Sequence, residues 1–359
     1  MSTSDTPQQA AASRLESRAH ELEVVDVIRE TPDSVSIVFE VPDRILSRFR
    51  YHPGQFLTLK IPGADGSGTA VARCYSMSSS PHLDDDLIVT VKRVNGGVAS
   101  GWLCDNVTVG ERITVLSPSG SFYPRSYAND LLLVGAGSGI TPLMSIAKST
   151  LIGGLSSVHL IYANRDADSA IFSAEIDEMV AEFPDRFAVT HWFESERGLP
   201  DAAAMADLMR DEADRELFIC GPPPFMAVVE ETAEQIGIPA ALTHTERYIS
   251  LSGDPFSDIE VSVSSGDDDA SVAVTLAGTS IDLAWPRSAT LLDVLLAAGH
   301  DAPFSCREGE CSSCACRVVS GEVHMRKNDT LVDSDLAMGL TLACQAVPVS
   351  DEVTVTFDT

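Results

Sequence analysis

The sequence lacks a hydrophobic segment long enough to cross a bilayer, and its first twenty residues contain no basic start followed by an apolar run. The first absence argues against a transmembrane helix, and the second argues against a secretory signal. We therefore expect a cytoplasmic protein. Thiols stay reduced in that compartment, so the eight cysteines are expected to bind metal or carry out redox chemistry rather than form disulfides.

Basic residues are also scarce, because 24 lysines and arginines stand against 53 acidic residues and leave a formal net charge of -29. Such a charge repels phosphate backbones and anionic lipid head groups. Neither nucleic acid nor a membrane surface is therefore an expected partner. Two interpretations of the charge stay open: it keeps the protein soluble, or one acidic face steers a basic protein partner toward the chain.

The 359 residues suffice for two or three domains, each with its own core. A polar tail at 1–20 precedes short β-branched runs such as "SVSIVFEV" and "QFLTLKI", which predict an antiparallel β-barrel at 21–127. At 128–248 strand-like and helix-like runs alternate, which predicts an α/β domain with a parallel sheet. A polar linker at 249–269 is followed, at 270–359, by a predicted hairpin, a helix closed by Gly299 and a last strand, "DEVTVTF".

Four cysteines form the strongest signal in the sequence. Cys306, Cys311 and Cys314 follow the spacing C-x4-C-x2-C, and Cys344 supplies a distant fourth thiol. This is the plant-type [2Fe-2S] arrangement, in which soft anionic ligands hold the iron. Zinc also accepts four cysteines, but it usually takes them from two C-x2-C pairs, and only one such pair occurs here. Cys316 lies two residues beyond Cys314 and is expected to be a non-ligand.

On these residues the segment 270–359 resembles a plant-type ferredoxin domain. The resemblance implies an α+β fold of the β-grasp type that carries one [2Fe-2S] cluster.

A glycine-rich turn, "GAGSGITP", follows the first strand of the predicted α/β domain. Gly135, Gly137 and Gly139 lie in this turn, Thr141 is the predicted N-cap of the next helix, and Pro142 is placed at its first position. A pyrophosphate is favoured there by backbone N–H groups and by the positive end of the helix dipole. The run differs from G-x-G-x-x-G, so an ordinary tight turn between strand and helix is also compatible with it.

Two further loops are expected at the same edge of the sheet. "CGPPPFM", from Cys220 to Met226, again follows a strand and opens a helix, which brings Gly221 and Pro222 to the carboxyl ends of the strands. "YANRD" ends another strand, and Arg165 is either a contact to the nucleotide ribose or a surface ion pair.

Two motifs of the predicted barrel suit a flavin nucleotide. "RCYSMSS" offers a cation, Arg73, beside an aromatic hydroxyl, Tyr75, and "GGVASGWL" offers a glycine-rich helix start for phosphates. Taken alone, Arg73 and Tyr75 could equally be ordinary strand residues.

Together, "PGQF", "RCYS", "GGVAS", "GAGSGITP" and "CGPPPFM" occur in the order found in the ferredoxin-NADP reductase-like flavoprotein family, which 21–248 therefore resembles. The resemblance implies that Ser76 lies near the reactive nitrogen N5 of the flavin and that Cys220 lies beside the nicotinamide, the two catalytic positions. It also implies that Glu246 and Tyr248 lie where this family ends its nucleotide domain with an aromatic near the flavin, although a packed tyrosine at a domain end is equally possible. The cofactor-binding residues that it implies are Arg73, Tyr75, Ser76, Val91, Arg93, Gly97, Val98, Ala99, Ser100, Gly135, Gly137, Gly139, Thr141, Asn164, Arg165, Cys220, Gly221 and Pro222.

The domain order, with the ferredoxin last, resembles the reductase components of bacterial oxygenases. The resemblance is strongest to reductases that serve steroid-ring hydroxylases, because long stretches such as "VTVKRVNGGVASGWLCDN" and "DAPFSCREGECSSCACRV" match. It implies FAD, NADH and a [2Fe-2S] cluster as cofactors and a Rieske-type terminal oxygenase as the protein partner. Two rivals stay open: a reductase for another oxygenase, such as one acting on phenylacetyl-CoA, and a non-enzymatic scaffold with a structural zinc loop.

Overall fold

The computed structural model of the chain describes residues 19–63, 70–248, 250–251, 253–257 and 269–358. The chain forms two compact units, one made of Glu21–Pro118 and Phe122–Ser250 and the other made chiefly of Leu251–Thr359. Most of the predicted tail at 1–20 and of the predicted linker at 249–269 lies outside the described residues. A search of the described helices found none with the length and hydropathy needed to span a membrane.

The first unit begins with a β-barrel, as the short β-branched runs predict. Its six strands are β1 (Ala19–Thr31), β2 (Ser34–Glu40), β3 (Phe56–Ile61), β4 (Val71–Ser76), β5 (Leu87–Lys92) and β6 (Arg112–Leu116), hydrogen-bonded in the order β4-β3-β6-β1-β2-β5. Met77, just beyond β4, pairs with Val89 of β5, so the two edges of the sheet meet. Because alternate residues of a strand face one side, the inward set packs into one core. Helix α1 (Val98–Asn106) follows β5.

The rest of the first unit is a parallel five-stranded sheet with helices on both faces, which confirms the predicted α/β domain. The strands are β7 (Leu131–Ala136), β8 (Val158–Asn164), β9 (Phe187–Phe193), β10 (Glu216–Cys220) and β11 (Thr243–Glu246), in the order β11-β10-β7-β8-β9. The helices are α2 (Ile140–Gly153), α3 (Ser173–Glu182), α4 (Glu194–Arg197), α5 (Ala202–Met209) and α6 (Pro223–Ile236). One apolar cluster covers each face of the sheet.

The second unit is a mixed α+β domain. Its elements are β12 (Ala270–Leu276), β13 (Thr279–Trp285), α7 (Leu291–Ala297), β14 (Ala315–Ser320), β15 (Val323–Met325), α8 (Asp333–Ala337), β16 (Leu340–Leu342), β17 (Ala346–Pro348) and β18 (Glu352–Thr356). The main sheet has the order β13-β12-β18-β14-β16, and β15 pairs with β17. The predicted hairpin, helix and last strand are all present. Gly299 follows α7 with φ of 88°, in the left-handed region where glycine closes a helix.

Two local predictions were wrong or incomplete. Helix α2 begins at Ile140 with Gly139 as its N-cap, not with Thr141, because a 3-10 turn at Gly137–Gly139 carries the chain directly into the helix. The Thr141 hydroxyl instead donates to the Ser138 carbonyl at 3.1 Å. Helix α5, between β9 and β10, was not predicted, although Asp201 caps it by accepting a hydrogen bond from the N–H of Ala204.

Candidate cofactor sites

The four thiols predicted to hold iron are brought together by strand pairing in the second unit. Cys306, Cys311 and Cys314 lie in the loop that leads into β14, and Cys344 follows β16. Strands β14 and β16 are antiparallel neighbours. Beyond their ladder, the N–H of Ala343 donates to the Cys314 carbonyl at 3.0 Å. The distant fourth cysteine is therefore held beside the third by the sheet itself.

The thiols stand as two pairs. The Cys306 N–H lies 3.4 Å from the Cys311 sulfur, and a hydrogen bond from the Cys311 thiol lowers the pKa of Cys306 to about 6. In the second pair, the Cys344 N–H lies 3.5 Å from the Cys314 sulfur, and a hydrogen bond from the Cys314 thiol lowers the pKa of Cys344. Each pair therefore favours one thiolate, the form that binds iron.

A two-iron cluster with four cysteine ligands takes two thiolates at each iron, so the paired arrangement fits the predicted [2Fe-2S] cluster. Within the described residues, no three His, Cys, Asp or Glu side chains gather around a single point as the ligands of one metal ion do. Cys316 is fully buried, and burial raises the pKa of its thiol to about 12. Its role as a non-ligand stays a prediction.

The backbone of the cysteine loop requires glycine at position 309. Gly309 has φ of 78°, and a Cβ atom there would lie 2.9 Å from the Lys327 carbonyl oxygen. Its neighbour Glu308 donates its N–H to the Cys306 sulfur at 3.3 Å. Across the loop, the side-chain amide of Gln345 lies 3.5 Å from the Cys344 sulfur. Hydrogen bonds of this kind to ligand sulfurs tune the reduction potential of a cluster.

The predicted flavin residues of "RCYS" lie on strand β4 of the barrel. Arg73 and Tyr75 are opposite Leu59 and Leu57 of β3, and Ser76 ends the strand with its side chain buried. Burial also raises the pKa of Tyr75, so this phenol stays protonated. A cation, an aromatic hydroxyl and a serine therefore follow one another along one strand, in the order that the resemblance implies.

The second flavin motif forms a glycine-led helix start. Gly97 is the N-cap of α1, and no side chain that the structure describes caps this end, so its backbone N–H groups suit an anion. Ser100 accepts a hydrogen bond from the N–H of Val94 at 3.0 Å, which fixes the turn before the helix. Val98 is exposed, whereas Ala99 is buried. This geometry fits the predicted diphosphate contact.

Two predicted flavin residues have other neighbours in the structure. Val91 is fully buried in the barrel core, against which Tyr75 also packs, and its carbonyl lies 3.7 Å from the Cys104 sulfur; its contact to the flavin stays a prediction. Arg93 is bound to the Asp105 carboxylate of α1, with one contact of 2.9 Å. A contact between Arg93 and a phosphate would have to share the guanidinium with this carboxylate.

The predicted nucleotide loops meet at the carboxyl edge of the parallel sheet. Cys220 of β10 is directly opposite Gly135 of β7. A Cβ atom on Gly139 would lie 2.1 Å from the Cys220 carbonyl oxygen and 2.8 Å from the Gly221 nitrogen. Glycine at position 139 is therefore required for the two loops to approach each other, which explains one glycine of the motif by packing.

A cavity of about 420 Å³ opens beside these loops, and its wall includes Gly137, Asn164, Arg165 and Pro222. Asn164 is 6% exposed, and within the described part of the chain neither atom of its side-chain amide has a hydrogen-bond partner with good geometry. The amide does interact with the Tyr162 hydroxyl, and a polar ligand in the cavity would offer it better-placed hydrogen bonds. The cavity thus fits the predicted nicotinamide nucleotide.

Tyr248 lies where the barrel and the nucleotide loops approach. Its hydroxyl is 2.9 Å from Thr141 Oγ1 and donates to the Ser138 carbonyl at 3.0 Å, and it also interacts with Ser76 and Cys220. The Cys220 thiol is fully buried, and burial raises its pKa, so the thiol stays neutral. The two predicted catalytic positions are therefore linked through one phenol.

Sequence reasoning missed two residues that also line the cavity, Trp192 and Glu194. Trp192 lies near the end of β9 and Glu194 directly follows it, and no motif had been assigned to this strand. Their place at the carboxyl end of a parallel strand was the available signal. It also missed Lys148, a buried cation on α2 that forms ion pairs with Asp84 and Glu175. No local pattern marks such a residue.

Three family descriptions match the chain, one for each predicted domain. Residues 21–123 match an oxidoreductase FAD-binding domain, residues 133–231 match an oxidoreductase NAD-binding domain, and residues 274–349 match a 2Fe-2S iron-sulfur cluster binding domain. The predicted cofactor set is thereby confirmed, and the zinc scaffold is no longer favoured. The chain is an oxidoreductase of three cofactor domains.

Among solved structures, phthalate dioxygenase reductase is similar at a TM-score of 0.54 and 23% identity, covering 98% of this chain and 100% of that chain, which supports the fold. Among proteins of described function, a component of the 1,2-phenylacetyl-CoA epoxidase of Escherichia coli is 33% identical, over 94% of this chain and 98% of its own length. The ferredoxin reductase component of the 3-ketosteroid-9-alpha-monooxygenase of Mycolicibacterium smegmatis is 53% identical over 349 residues, 96% of this chain and 98% of the relative. The predicted resemblance to reductases of steroid-ring hydroxylases is therefore confirmed, and the chain belongs to the family of ferredoxin reductase components of 3-ketosteroid-9-alpha-monooxygenases.

Proposed function

We propose that this chain is the NADH-dependent reductase of a 3-ketosteroid 9α-hydroxylating system in steroid breakdown, and that it supplies electrons to a Rieske-type oxygenase. The observation that carries the proposal is the 53% identity over nearly the whole of both chains. The steroid itself would bind the oxygenase, since the cofactor sites described above account for the motifs of this chain.

When bound, FAD takes up an electron pair as hydride from NADH, and the [2Fe-2S] cluster accepts electrons one at a time. The chain's own task is to position these groups and to exclude water from the transfer path. Ser76, at the buried end of β4, would face the flavin ring, and the neutral thiol of Cys220 would form the opposite wall. Tyr248, held by Thr141, would cover the space between them until the nicotinamide enters.

Glu246 gives this site a proton-holding group. It ends β11, opposite Cys220 of β10, and burial raises the pKa of its carboxyl to about 8. At neutral pH the carboxyl therefore keeps its proton. A neutral carboxyl beside Cys220 would not repel the electron pair that arrives with the hydride.

Two carboxylates near the nucleotide cavity are the features that favour NADH over NADPH. Arg165 is the cation at the end of β8, and its guanidinium is engaged by Asp166 at 3.0 Å. On the cavity wall Glu194 adds a negative charge, and Lys92, which pairs with Asp33 at 4.0 Å, adds a positive one. A 2'-phosphate would meet these carboxylates, whereas a ribose hydroxyl would donate a hydrogen bond to one of them. Steady-state rates with NADH and with NADPH test this choice. The ratio of the two rates should be smaller in Glu194→Gln than in wild type.

Two further assignments belong to the proposal. We place the protein in the cytoplasm, because a cluster held by four thiolates and an NADH supply both belong to a reducing compartment. We also propose that the acidic surface steers a basic face of the oxygenase, in line with the formal charge of -29. Electron delivery should then slow as ionic strength rises.

The decisive experiment is NADH-driven turnover of a 3-ketosteroid by the purified chain with a 3-ketosteroid 9α-hydroxylase oxygenase. We expect hydroxylated steroid in proportion to NADH consumed. An oxygenase that stays oxidised in the presence of the chain and NADH would refute the proposal, provided that the chain still reduces a flavin-directed dye.

A second candidate is a reductase for a phenylacetyl-CoA epoxidase. The observation in its favour is the 33% identity to the Escherichia coli protein over 98% of its length. The same assay with the other epoxidase components distinguishes the two, because the correct oxygenase should be reduced at least tenfold faster at equal concentration.

A further inference from the structure

The segment between the nucleotide domain and β12 begins as a fixed part of the second unit. We call residues 251 and 253–257 the tether segment. Leu251 and Phe256 are only 7% and 8% exposed, and Asp254 organises a turn by accepting the N–H of Phe256 at 2.9 Å. The start of the predicted linker is therefore packed and turned, rather than solvated along its length.

The tether segment contacts the cysteine loop at two adjacent residues. The N–H of Gly253 donates to the Glu308 carboxylate. The guanidinium of Arg307 donates to the Ser257 carbonyl at 3.3 Å. A Cβ atom on Gly253 would lie 2.8 Å from Glu308 Oε1, so the absence of a side chain at 253 allows the close approach.

Arg307 and Glu308 directly follow the first predicted iron ligand. The N–H of Glu308 donates to the Cys306 sulfur at 3.3 Å. Arg307 has φ of 60°, a left-handed conformation that a residue with a Cβ keeps only when its surroundings impose it. The direction of the Glu308 N–H therefore depends on what holds these two residues.

Two contacts from the ferredoxin fold itself also hold Arg307. Its guanidinium lies 3.4 Å from Asp293 Oδ1 on α7. Its carbonyl accepts a hydrogen bond from the side-chain amide of Gln345 at 3.1 Å, and the same amide lies 3.5 Å from the Cys344 sulfur. Arg307 and Glu308 are thus held by the tether segment, by Asp293 of α7 and by Gln345. We call this set of contacts the clamp.

We propose that the tether segment is a positioning element for the iron-sulfur cluster: by holding Arg307 and Glu308 it keeps the Glu308 N–H directed at the Cys306 sulfur. The inference rests on the proposed function in that it takes the four cysteines as the cluster ligands. An N–H donor to a ligand sulfur stabilises the more negative, reduced cluster, so the clamp raises the reduction potential. The connection between the two units is thereby also a determinant of the potential.

A matched pair of variants isolates the hydrogen bond from the charge. Glu308→Gln and Glu308→Met both remove the negative charge, but only glutamine can still accept the N–H of Gly253. We expect the cluster in the methionine variant to be harder to reduce: at a fixed ambient potential, its ratio of reduced to oxidised cluster should be about tenfold lower than in the glutamine variant. For a one-electron couple this ratio corresponds to about 59 mV.

The ratio is measured on the full-length holoprotein by dithionite titration with mediators, followed by the electron paramagnetic resonance signal. Gly253→Pro tests the same contact from the other side, since it removes the donor without any change of charge. It should lower the ratio relative to wild type and speed the loss of cluster absorbance in a chelator at least threefold. The exposed Glu322, as Met and Gln variants, is the control pair and should show no difference.

Equal ratios in the two Glu308 variants, together with wild-type behaviour of Gly253→Pro, would overturn the proposal. If the methionine variant fails to retain its cluster, the test is the rate at which Gly253→Pro loses cluster absorbance in a chelator. Faster loss than in wild type supports the proposal, and an equal rate overturns it. The test uses neither NADH nor an oxygenase. A wild-type protein without any [2Fe-2S] signal would refute the cluster assignment itself, whereas indistinguishable variants would refute only the role of the tether segment.

Discussion

The ammonium of Lys148, on α2, lies 3.3 Å from the carboxylate of Asp84, in the loop that follows β4 of the barrel. Glu175 of α3 contacts the same ammonium at 2.6 Å, and the Lys148 side chain is only 6% exposed. One turn earlier on α2, the Ser145 hydroxyl donates to the Ser79 carbonyl at 2.5 Å. The helix that starts at the glycine loop is thus fastened to the segment directly beyond the flavin strand.

Replacing Lys148 with methionine should slow hydride transfer and destabilise the first unit. The change leaves the Asp84 and Glu175 carboxylates without their buried cation; because these carboxylates are 24% and 40% exposed, the loss should be smaller than the ~3–5 kcal/mol of a fully buried pair. A small displacement of α2 would also misalign the nicotinamide and the flavin, and about 1 Å can cost 10²-fold in rate. Thermal unfolding and stopped-flow flavin reduction measure the two effects.

Arg112→Met is the matched control for Lys148→Met. Arg112 and its partner Glu23 are both exposed, and an exposed ion pair contributes about 0–1 kcal/mol. Equal losses of stability and rate in the two variants would show that Lys148 has no special part in joining the domains.

Gly139→Ala should weaken NADH binding while the flavin and cluster absorbance stay intact. The added Cβ would lie 2.1 Å from the Cys220 carbonyl oxygen, so one of the two nucleotide loops must move. We expect the KM for NADH to rise at least tenfold in a dye-reduction assay. Gly101→Ala on α1 is the control, since its Cβ would meet only the Arg93 guanidinium at 3.5 Å. An unchanged KM in Gly139→Ala would contradict the assignment of this loop.

Cys311→Ser should abolish cluster-dependent electron transfer but spare NADH reduction of a flavin-directed dye. The thiol belongs to the second unit, whereas the flavin and nucleotide motifs belong to the first. Cys316→Ala, which changes the fully buried thiol two residues beyond Cys314, should keep the cluster. Iron and acid-labile sulfide analysis of both variants gives the result. Loss of both activities in a folded, flavin-loaded Cys311→Ser protein would speak against this division of labour.

Glu246→Gln should change the dependence of stability on pH in a defined window. Burial raises the pKa of Glu246 from 4.5 to about 8, so the folded protein holds a proton that the unfolded chain releases. The contribution of the Glu246 carboxyl to the free energy of unfolding is fully present below pH 4.5 and is lost as the pH rises toward 8. Glutamine mimics the protonated carboxyl. The melting temperature of the variant, relative to wild type, should therefore rise between about pH 5 and 8 and level off above that.

The exposed Glu231→Gln variant serves as the control for the pH series, because its side chain lies on the outer face of α6. A flat difference between Glu246→Gln and wild type from about pH 5 to 9 would mean that the Glu246 carboxyl is not held protonated in the fold.

Features that depend on short stretches of sequence were predicted correctly. The C-x4-C-x2-C spacing and the glycine loops each occupy a few consecutive residues, and each strand or helix of the alternating domain is a short run, so these features can be read without knowing the fold. The Thr141 cap was wrong because the choice between an α-helical start and a preceding 3-10 turn depends on how Gly139 packs against Cys220. Helix α5 was missed because "AAAMADLM" is short, although Asp201 supplied a capping signal.

Relationships between distant residues could not be predicted. The contact of Tyr248 with Thr141 joins residues 107 positions apart, and that of Lys148 with Asp84 joins residues 64 positions apart. The ligand contacts of the site residues stay predictions, but the structure brings the two nucleotide loops and the phenol of Tyr248 to one place. Tertiary packing, not propensity, determines that convergence.

The two thiol pairs of the second unit differ in what must happen before each can hold iron. Cys306 and Cys311 are neighbours within one loop, so a nascent chain can present them early. Cys314 and Cys344 meet only after β14 and β16 have paired. The full set of four sulfur ligands is therefore assembled only when this sheet has formed, and a lesion in β16 would displace Cys344 while Cys306, Cys311 and Cys314 stay together in one loop.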